Sequence, residues 1–366
     1  MYRKIFSFIF VALFFLNVTF TIHAQDAQIE RPEQMEGDVV KVEQQKQITA
    51  DGKESVLQKV EVLVTTGRLD DQTISVEQLS IGEQPLFVVG DKILVSVNRG
   101  LNGEESFYIS DFVRRTPLYF LFGLFLLIVA VIAKKRGIFS MIGMAISFGV
   151  IFFVLLPMIS TGVNPVLAAI ITSLLIIPLT FFSSHGFNKK TTSAVIGTVI
   201  SLIITGILAI IFVEAAKISG FSSEEAAFVK AAKGDLINIK GLLLAGIIIG
   251  VLGVLDDITI AQANVVYQLK KVSSKLDVNE LYSRAMDVGK DHIASMVNTL
   301  ILVYTGAALP LLLLFTNNSA PFTEVINYEV VAEEIVRTLV ASIGLVLAVP
   351  ITTYITALLA SNQKES

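Results

Sequence analysis

The sequence predicts a membrane all-α bundle of about seven transmembrane helices preceded by one small extracytoplasmic β-barrel or sandwich, and three observations predict it. Hydrophobic residues make up 53% of the chain and charged residues only 16%, with a mean hydropathy of +0.71. A soluble chain of this length cannot hide that much apolar surface. Apolar runs close to the ~20 residues that cross a ~30 Å hydrocarbon core recur through the last two thirds of the sequence. Ahead of them lies a single polar stretch whose apolar residues alternate with period two.

The elements follow in chain order. Residues 1–24 read as an export signal: Arg3 and Lys4, an apolar run from Ile5 to Phe20, then Thr21-Ile22-His23-Ala24. Ile22 is not the small residue that cleavage after Ala24 prefers, so a cleaved peptide and a retained anchor are both open. Residues 25–115 form the β domain. Strands are expected at Val39–Glu43, Lys59–Val64, Thr73–Val76 and Lys92–Val97, punctuated by Asp51-Gly52, Gly67 and Gly90-Asp91. A module of this kind implies an extracytoplasmic protein partner and shows no pocket-forming motif of its own.

Residues 116–360 form the helical domain, with 361–366 as a cytoplasmic tail. Spans are expected at about 117–133, 139–158, 165–182, 192–213, 241–261, 293–315 and 336–360. Lys134, Lys135, Arg136, Lys189, Lys190, Lys270, Lys271, Lys275, Arg284 and Lys290 then share one side, which the positive-inside rule assigns to the cytoplasm. The β domain is therefore expected outside a cell membrane and Ser366 inside.

Several functions drop out on composition. The net charge of −4 and the lack of a basic run leave no nucleic-acid footprint. With no Cys and three scattered His, neither a thiolate nor a paired-His metal site can be assembled. No phosphate loop, nucleophile elbow or dinucleotide fingerprint occurs, so the chain reads as a non-enzyme without cofactors, in contact with lipid and of open oligomeric state.

The chemistry concentrates in Gly241-Leu-Leu-Leu-Ala-Gly-Ile-Ile-Ile-Gly-Val-Leu-Gly-Val-Leu-Asp256-Asp257-Ile-Thr259. Only about fifteen apolar residues precede the first Asp, some 22 Å of helix, so either the helix is thinly embedded or the carboxylates lie within the cytoplasmic half of the bilayer. A charge there costs ~2.5 to 3.5 kcal/mol. Gly246, Gly250 and Gly253 share a face with Asp257, Ala261 and Asn264, and read as a close-packing stripe for another helix. The next span offers Ser295, Asn298 and Thr299 with His292 beside them, as hydrogen-bonding neighbours of the carboxyl groups. Desolvation disfavours the charged carboxylate and a second negative charge disfavours it further, which suits the pair to taking up and releasing a proton. Glu333, Glu334 and Arg337 read instead as a surface ion pair at the membrane edge. Pro350, followed by Thr352, Thr353 and Thr356, reads as a kink whose freed carbonyl a hydroxyl bonds.

These residues carry a resemblance. Gly250-Val-Leu-Gly-Val-Leu-Asp-Asp-Ile-Thr259, Asp287-Val-Gly289, His292-Ile-Ala-Ser-Met-Val-Asn-Thr299 and Ser342-Ile-Gly344 are similar to the YibE/F family of multi-pass membrane proteins. A glycine-rich span ending in two Asp, an amphipathic stretch, then a span with an Asn-Thr pair also resembles two helices of SecD/SecF and the resistance-nodulation-division transporters. That second resemblance implies a proton carrier at Asp256 or Asp257 with Asn298 and Thr299 beside it. It departs from those proteins in lacking their large external domain. Two functions are therefore weighed: a proton-coupled transporter or export-assisting factor, and a membrane scaffold that binds a partner through its β domain. An intramembrane aspartyl protease needs a second Asp on a facing span, and no other span holds one.

Overall fold

The computed structural model describes residues 33–48, 54–81, 85–99, 104–316 and 321–361. The export segment 1–24 and the tail from residue 362 onward lie outside the described residues. The chain divides into two units, residues 1–128 and 129–366.

Alternating apolar residues make the first unit a β structure. Five antiparallel strands, β1 (Glu33–Ile48), β2 (Glu54–Thr66), β3 (Thr73–Ile81), β4 (Lys92–Arg99) and β5 (Glu105–Phe112), form one sheet in the order β3-β2-β1-β4-β5. β3 and β5 also approach each other, so the sheet is nearly closed into a barrel. Strand β1 serves both halves: Glu33–Asp38 pairs with β4, while Glu36–Ile48 pairs with β2. Its register shifts at Glu36/Gly37, where a side chain on Gly37 would meet the Leu63 carbonyl oxygen at 2.8 Å. Such a bulge bends a strand enough to turn a barrel corner. Inside lie Met35, Val39, Val60, Val62, Val64, Ile93, Val95 and Val97, the apolar half of each alternation. Outside, Arg68 and Arg99 bracket Glu33 and Glu105 at 2.7 to 3.4 Å. The hydrogen bond from Arg68 holds the Glu105 carboxyl below its ordinary range.

One buried polar group closes the barrel's side. Gln58 is fully buried, and its amide donates to the Phe87 carbonyl and accepts from the Phe87 N–H, both at 2.9 Å. It thereby substitutes for a missing strand against the loop at residues 85–91. Gln58→Leu strands both Phe87 groups in an apolar site, which costs about 1–3 kcal/mol for each unmet partner. The expected result is faster amide exchange across residues 85–91 in the full-length protein, with β4 and β5 less affected.

The second unit is helical. In order come α1 (Arg115–Ser160, which begins in the first unit), α2 (Pro165–His185), α3 (Lys189–Ala215), α4 (Glu224–Lys233), α5 (Ile239–Val272), α6 (Val278–Ala307), α7 (Leu309–Thr316), α8 (Phe322–Val325) and α9 (Glu329–Ser361). Among the described residues five helices, α1, α2, α3, α5 and α9, are long and apolar enough to cross a bilayer. The seven expected spans map onto these elements differently from the sequence reading. Spans 117–133 and 139–158 both fall in α1, which breaks at Lys134 with φ 51°. The break is sharp. A side chain on Gly137 would lie 2.6 Å from the Val129 carbonyl oxygen, whereas eight residues of straight helix hold two positions about 12 Å apart. Span 293–315 is split between α6 and α7, because Pro310 lacks the N–H that would continue α6. α6 also begins fifteen residues earlier than expected, behind an Asp277–Glu280 capping box, and its first half is charged.

α5 touches α2, α3, α6 and α9 and is the most buried of the five. The helices around it meet through small and hydroxylated residues. Thr198 of α3 and Thr259 of α5 share a hydrogen bond at 2.6 Å, and the Thr356 hydroxyl of α9 lies 3.1 Å from the Ser193 hydroxyl of α3. Gln262, fully buried, donates to the Ala285 carbonyl of α6 at 2.9 Å and to the Thr353 hydroxyl of α9 at 2.8 Å. Gly289 makes room for it, since a Cβ there would sit 3.0 Å from the Gln262 amide nitrogen. None of the hydroxyls after Pro350 bonds the freed carbonyl of Val346: Thr353 donates to Val349 and Thr356 to Thr352, while the buried Thr352 hydroxyl makes no hydrogen bond among the described residues.

Candidate functional site

α5 is capped at its start by Asn238, whose side chain accepts from the Gly241 N–H at 2.8 Å. Leu and Ile then carry the helix unbroken through the Asp pair. Asp256 and Asp257 are the eighteenth and nineteenth of its 34 residues, about 26 Å from its first residue at 1.5 Å per residue. The expectation of a helix ending near the carboxylates is thereby corrected. They stand at mid-helix because Ile258 to Val266 continue the buried face of Leu244, Ile248, Val251 and Leu255.

The two carboxylates have different surroundings. Asp256 is half-buried and Asp257 exposed, and neither takes a hydrogen bond or ion pair among the described residues. Asp257 lies within electrostatic range of His185 at the end of α2, a group that also feels Lys190 and Arg136. Lys190 donates to Asn264, two turns further along α5, at 3.3 Å. Polar groups at the end of α2 and the start of α3 thus lie near the part of α5 that begins at Asp257.

The neighbours expected on α6 are placed less favourably. α6 packs through Leu281, Ala285, Gly289 and Leu300, while Ser295, Asn298 and Thr299 are exposed and His292 is half-buried. The Thr299 hydroxyl is engaged by its own helix, donating to the Ser295 carbonyl at 3.0 Å. Gln262 lies beside Ala285 and Gly289, and the Gly250 position lies 3.9 Å from the Tyr304 hydroxyl. Asp256 is therefore level with residues 293–296, whose inward members are Ile293 and Met296. None of the four predicted polar groups on α6 bonds either carboxylate. A helix wheel shows which residues share a face but not which face the neighbouring helix takes.

The glycine stripe departs from expectation in the same way. Gly246, Gly250 and Gly253 lie on the exposed side of α5, and a Cβ at Gly246 or Gly253 would meet no atom within 4 Å. Close approach within the chain occurs instead at Gly197, Gly289 and Gly344. The reading of Glu333 as a surface residue is overturned as well. It is only 8% exposed, accepting from the Ser222 hydroxyl and from Arg337 at 2.5 Å. The loop before α4 folds over the start of α9, where Glu329 accepts from Ser219 N–H and Oγ at 2.7 Å and from Gly220 N–H at 2.9 Å. Sequence reasoning missed this clasp, and it missed His185 and Gln262. A lone Gln inside an apolar helix was the available signal for the last.

Among the described residues no three His, Asp or Glu side chains gather as a metal site. No curated protein and no solved structure matches the chain. Residues 121–362, about two thirds of the chain and all five apolar helices from within α1 onward, match the family described as YibE/F-like protein. The chain belongs to the YibE/F-like family.

Proposed function

We propose that the protein is a proton-coupled membrane transporter or export-assisting factor in which Asp256 and Asp257 take up and release the proton. The observation that carries this reading is a pair of adjacent carboxylates, unpartnered, at the middle of the most buried apolar helix. A carboxylate kept only to lock helix packing needs a bonded partner to offset ~2.5 to 3.5 kcal/mol of burial. This pair has none, and that favours the carrier over the scaffold. His185, within electrostatic range of Asp257, takes the place of Asn298 and Thr299 as the titratable or polar neighbour of the pair.

In this reading the helical unit crosses the bilayer seven times, with the halves of α1 as two crossings and the later part of α6 with α7 as another. The reversal at Lys134 supports the first of these, since 46 residues of helix would measure about 69 Å against a ~30 Å core. The cation-rich turns then lie in the cytoplasm, and the β domain engages a protein partner outside. The resemblance of the Asp helix to SecD/SecF and resistance-nodulation-division proteins supports the same assignment.

The test uses the full-length protein in vesicles that enclose a pH-sensitive dye. An imposed pH gradient is expected to dissipate faster than in empty vesicles, and Asp256→Asn with Asp257→Asn to return the rate to that of empty vesicles. A double variant with the wild-type rate removes the carboxylates from the mechanism.

A further inference from the structure

A pocket of about 230 Å³ opens where α5 and α9 begin, roofed by α4. Its walls are apolar, formed by Val229 of α4 and by Ile239, Leu242 and Leu243 of α5. Gly246 forms part of its floor, and the missing side chain is not demanded by packing, because a Cβ there would meet nothing within 4 Å. The glycine leaves space that a larger residue would fill.

The polar lining is unbalanced. Arg337 lies between two carboxylates, 2.5 Å from Glu333 and 3.5 Å from Glu334, so its charge is more than answered. Glu225, at the mouth, makes no ion pair among the described residues, and the nearby Lys230 is taken up by Asp235 at 2.5 Å. Apolar walls beside an uncompensated negative charge repel anions and give neutral molecules only their hydrophobic contact.

We propose that this pocket binds a small organic cation with an apolar body, its ammonium at Glu225 and its hydrocarbon against Leu242 and Leu243. The ligand lies on the same side of α5 as Gly250, Gly253 and Asp257, eleven residues or about 16 Å from the last. Binding there needs no proton movement. It is therefore measured without a pH gradient, and its failure leaves the role of Asp256 and Asp257 standing, as theirs leaves the pocket.

The probes are hexylammonium, with hexanol and hexanoate as neutral and anionic matches, titrated into the purified full-length protein in lipid nanodiscs. Hexylammonium is expected to raise the melting temperature saturably, and its matches to give no saturable rise. Glu225→Gln, a change at an exposed position, is expected to weaken hexylammonium roughly fivefold, the loss of one edge ion pair. Gly246→Leu, for which the fold has room, is expected to abolish the saturable rise. Equal response to the three probes, no saturable response to hexylammonium, or unchanged binding in either variant overturns the proposal.

Discussion

Asp256→Asn is expected to melt at or above the temperature of the unaltered protein while moving protons more slowly. Asparagine has nearly the shape of aspartate but cannot ionise, so the variant relieves part of the ~2.5 to 3.5 kcal/mol that a carboxylate costs at the centre of a spanning helix. No side-chain contact is lost in exchange, because the Asp256 carboxylate has no hydrogen-bond or ion-pair partner among the described residues. Asp257 is exposed and near His185, so Asp257→Asn should leave the melting temperature closer to that of the parent. The scaffold reading makes the opposite forecast, since removing a structural carboxylate lowers stability. Thermal unfolding in nanodiscs, run beside the vesicle assay, separates them: a melting temperature several degrees lower in Asp256→Asn defeats the carrier reading.

The second large effect is expected at the α3–α9 seam. A Cβ on Gly344 would lie 2.9 Å from Thr205 Cγ2 and one on Gly197 3.0 Å from Thr352 Cβ, next to hydroxyl oxygens that are closer still. Neither neighbour can swing away. Thr205 donates to the Ser201 carbonyl at 2.7 Å, and Thr352 is fully buried. Gly344→Ala must therefore push two packed helices apart, at about 1–3 kcal/mol for overpacking of one methyl group. Gly344→Ala combined with Thr205→Ala should recover part of the loss, and the coupling in that double-mutant cycle measures the contact itself. By contrast Gly253→Ala, with no atom within 4 Å, should change the melting temperature little. Equal losses at Gly344 and Gly253 would contradict the packing described here.

What was legible in the sequence followed from period and length. Four of the five strands declare themselves because Val39, Val60, Val62, Ile93 and Val95 alternate with polar residues. β5 escaped because Phe107, Tyr108 and Ile109 are consecutive, so the inward and outward residues are not told apart by polarity. The apolar helices were legible by length, and the break at Lys134 falls where Lys134, Lys135 and Arg136 interrupt the apolar run, between the spans expected at 117–133 and 139–158. Within the site, the Asp pair stood out because charge is rare in lipid. Its neighbours did not, because they come from α2 and α3, and the choice of which helix lies beside α5 is made by tertiary packing. The clasp at Glu329 and Glu333 was illegible for the same reason, as its donors lie about 110 residues away in the chain.

α5 is also longer than a bilayer requires. Its 34 residues measure about 51 Å against a ~30 Å hydrocarbon core. Tilt alone would need roughly 54°, beyond the 0–40° that spanning helices adopt, so part of the rod stands in water. Lys270 and Lys271 mark the end that does so, and α6 returns alongside it. Between that wet end and the Asp pair, Gln262 ties the helix to α6 and α9, so the two stretches of the rod are joined through one buried, doubly bonded side chain.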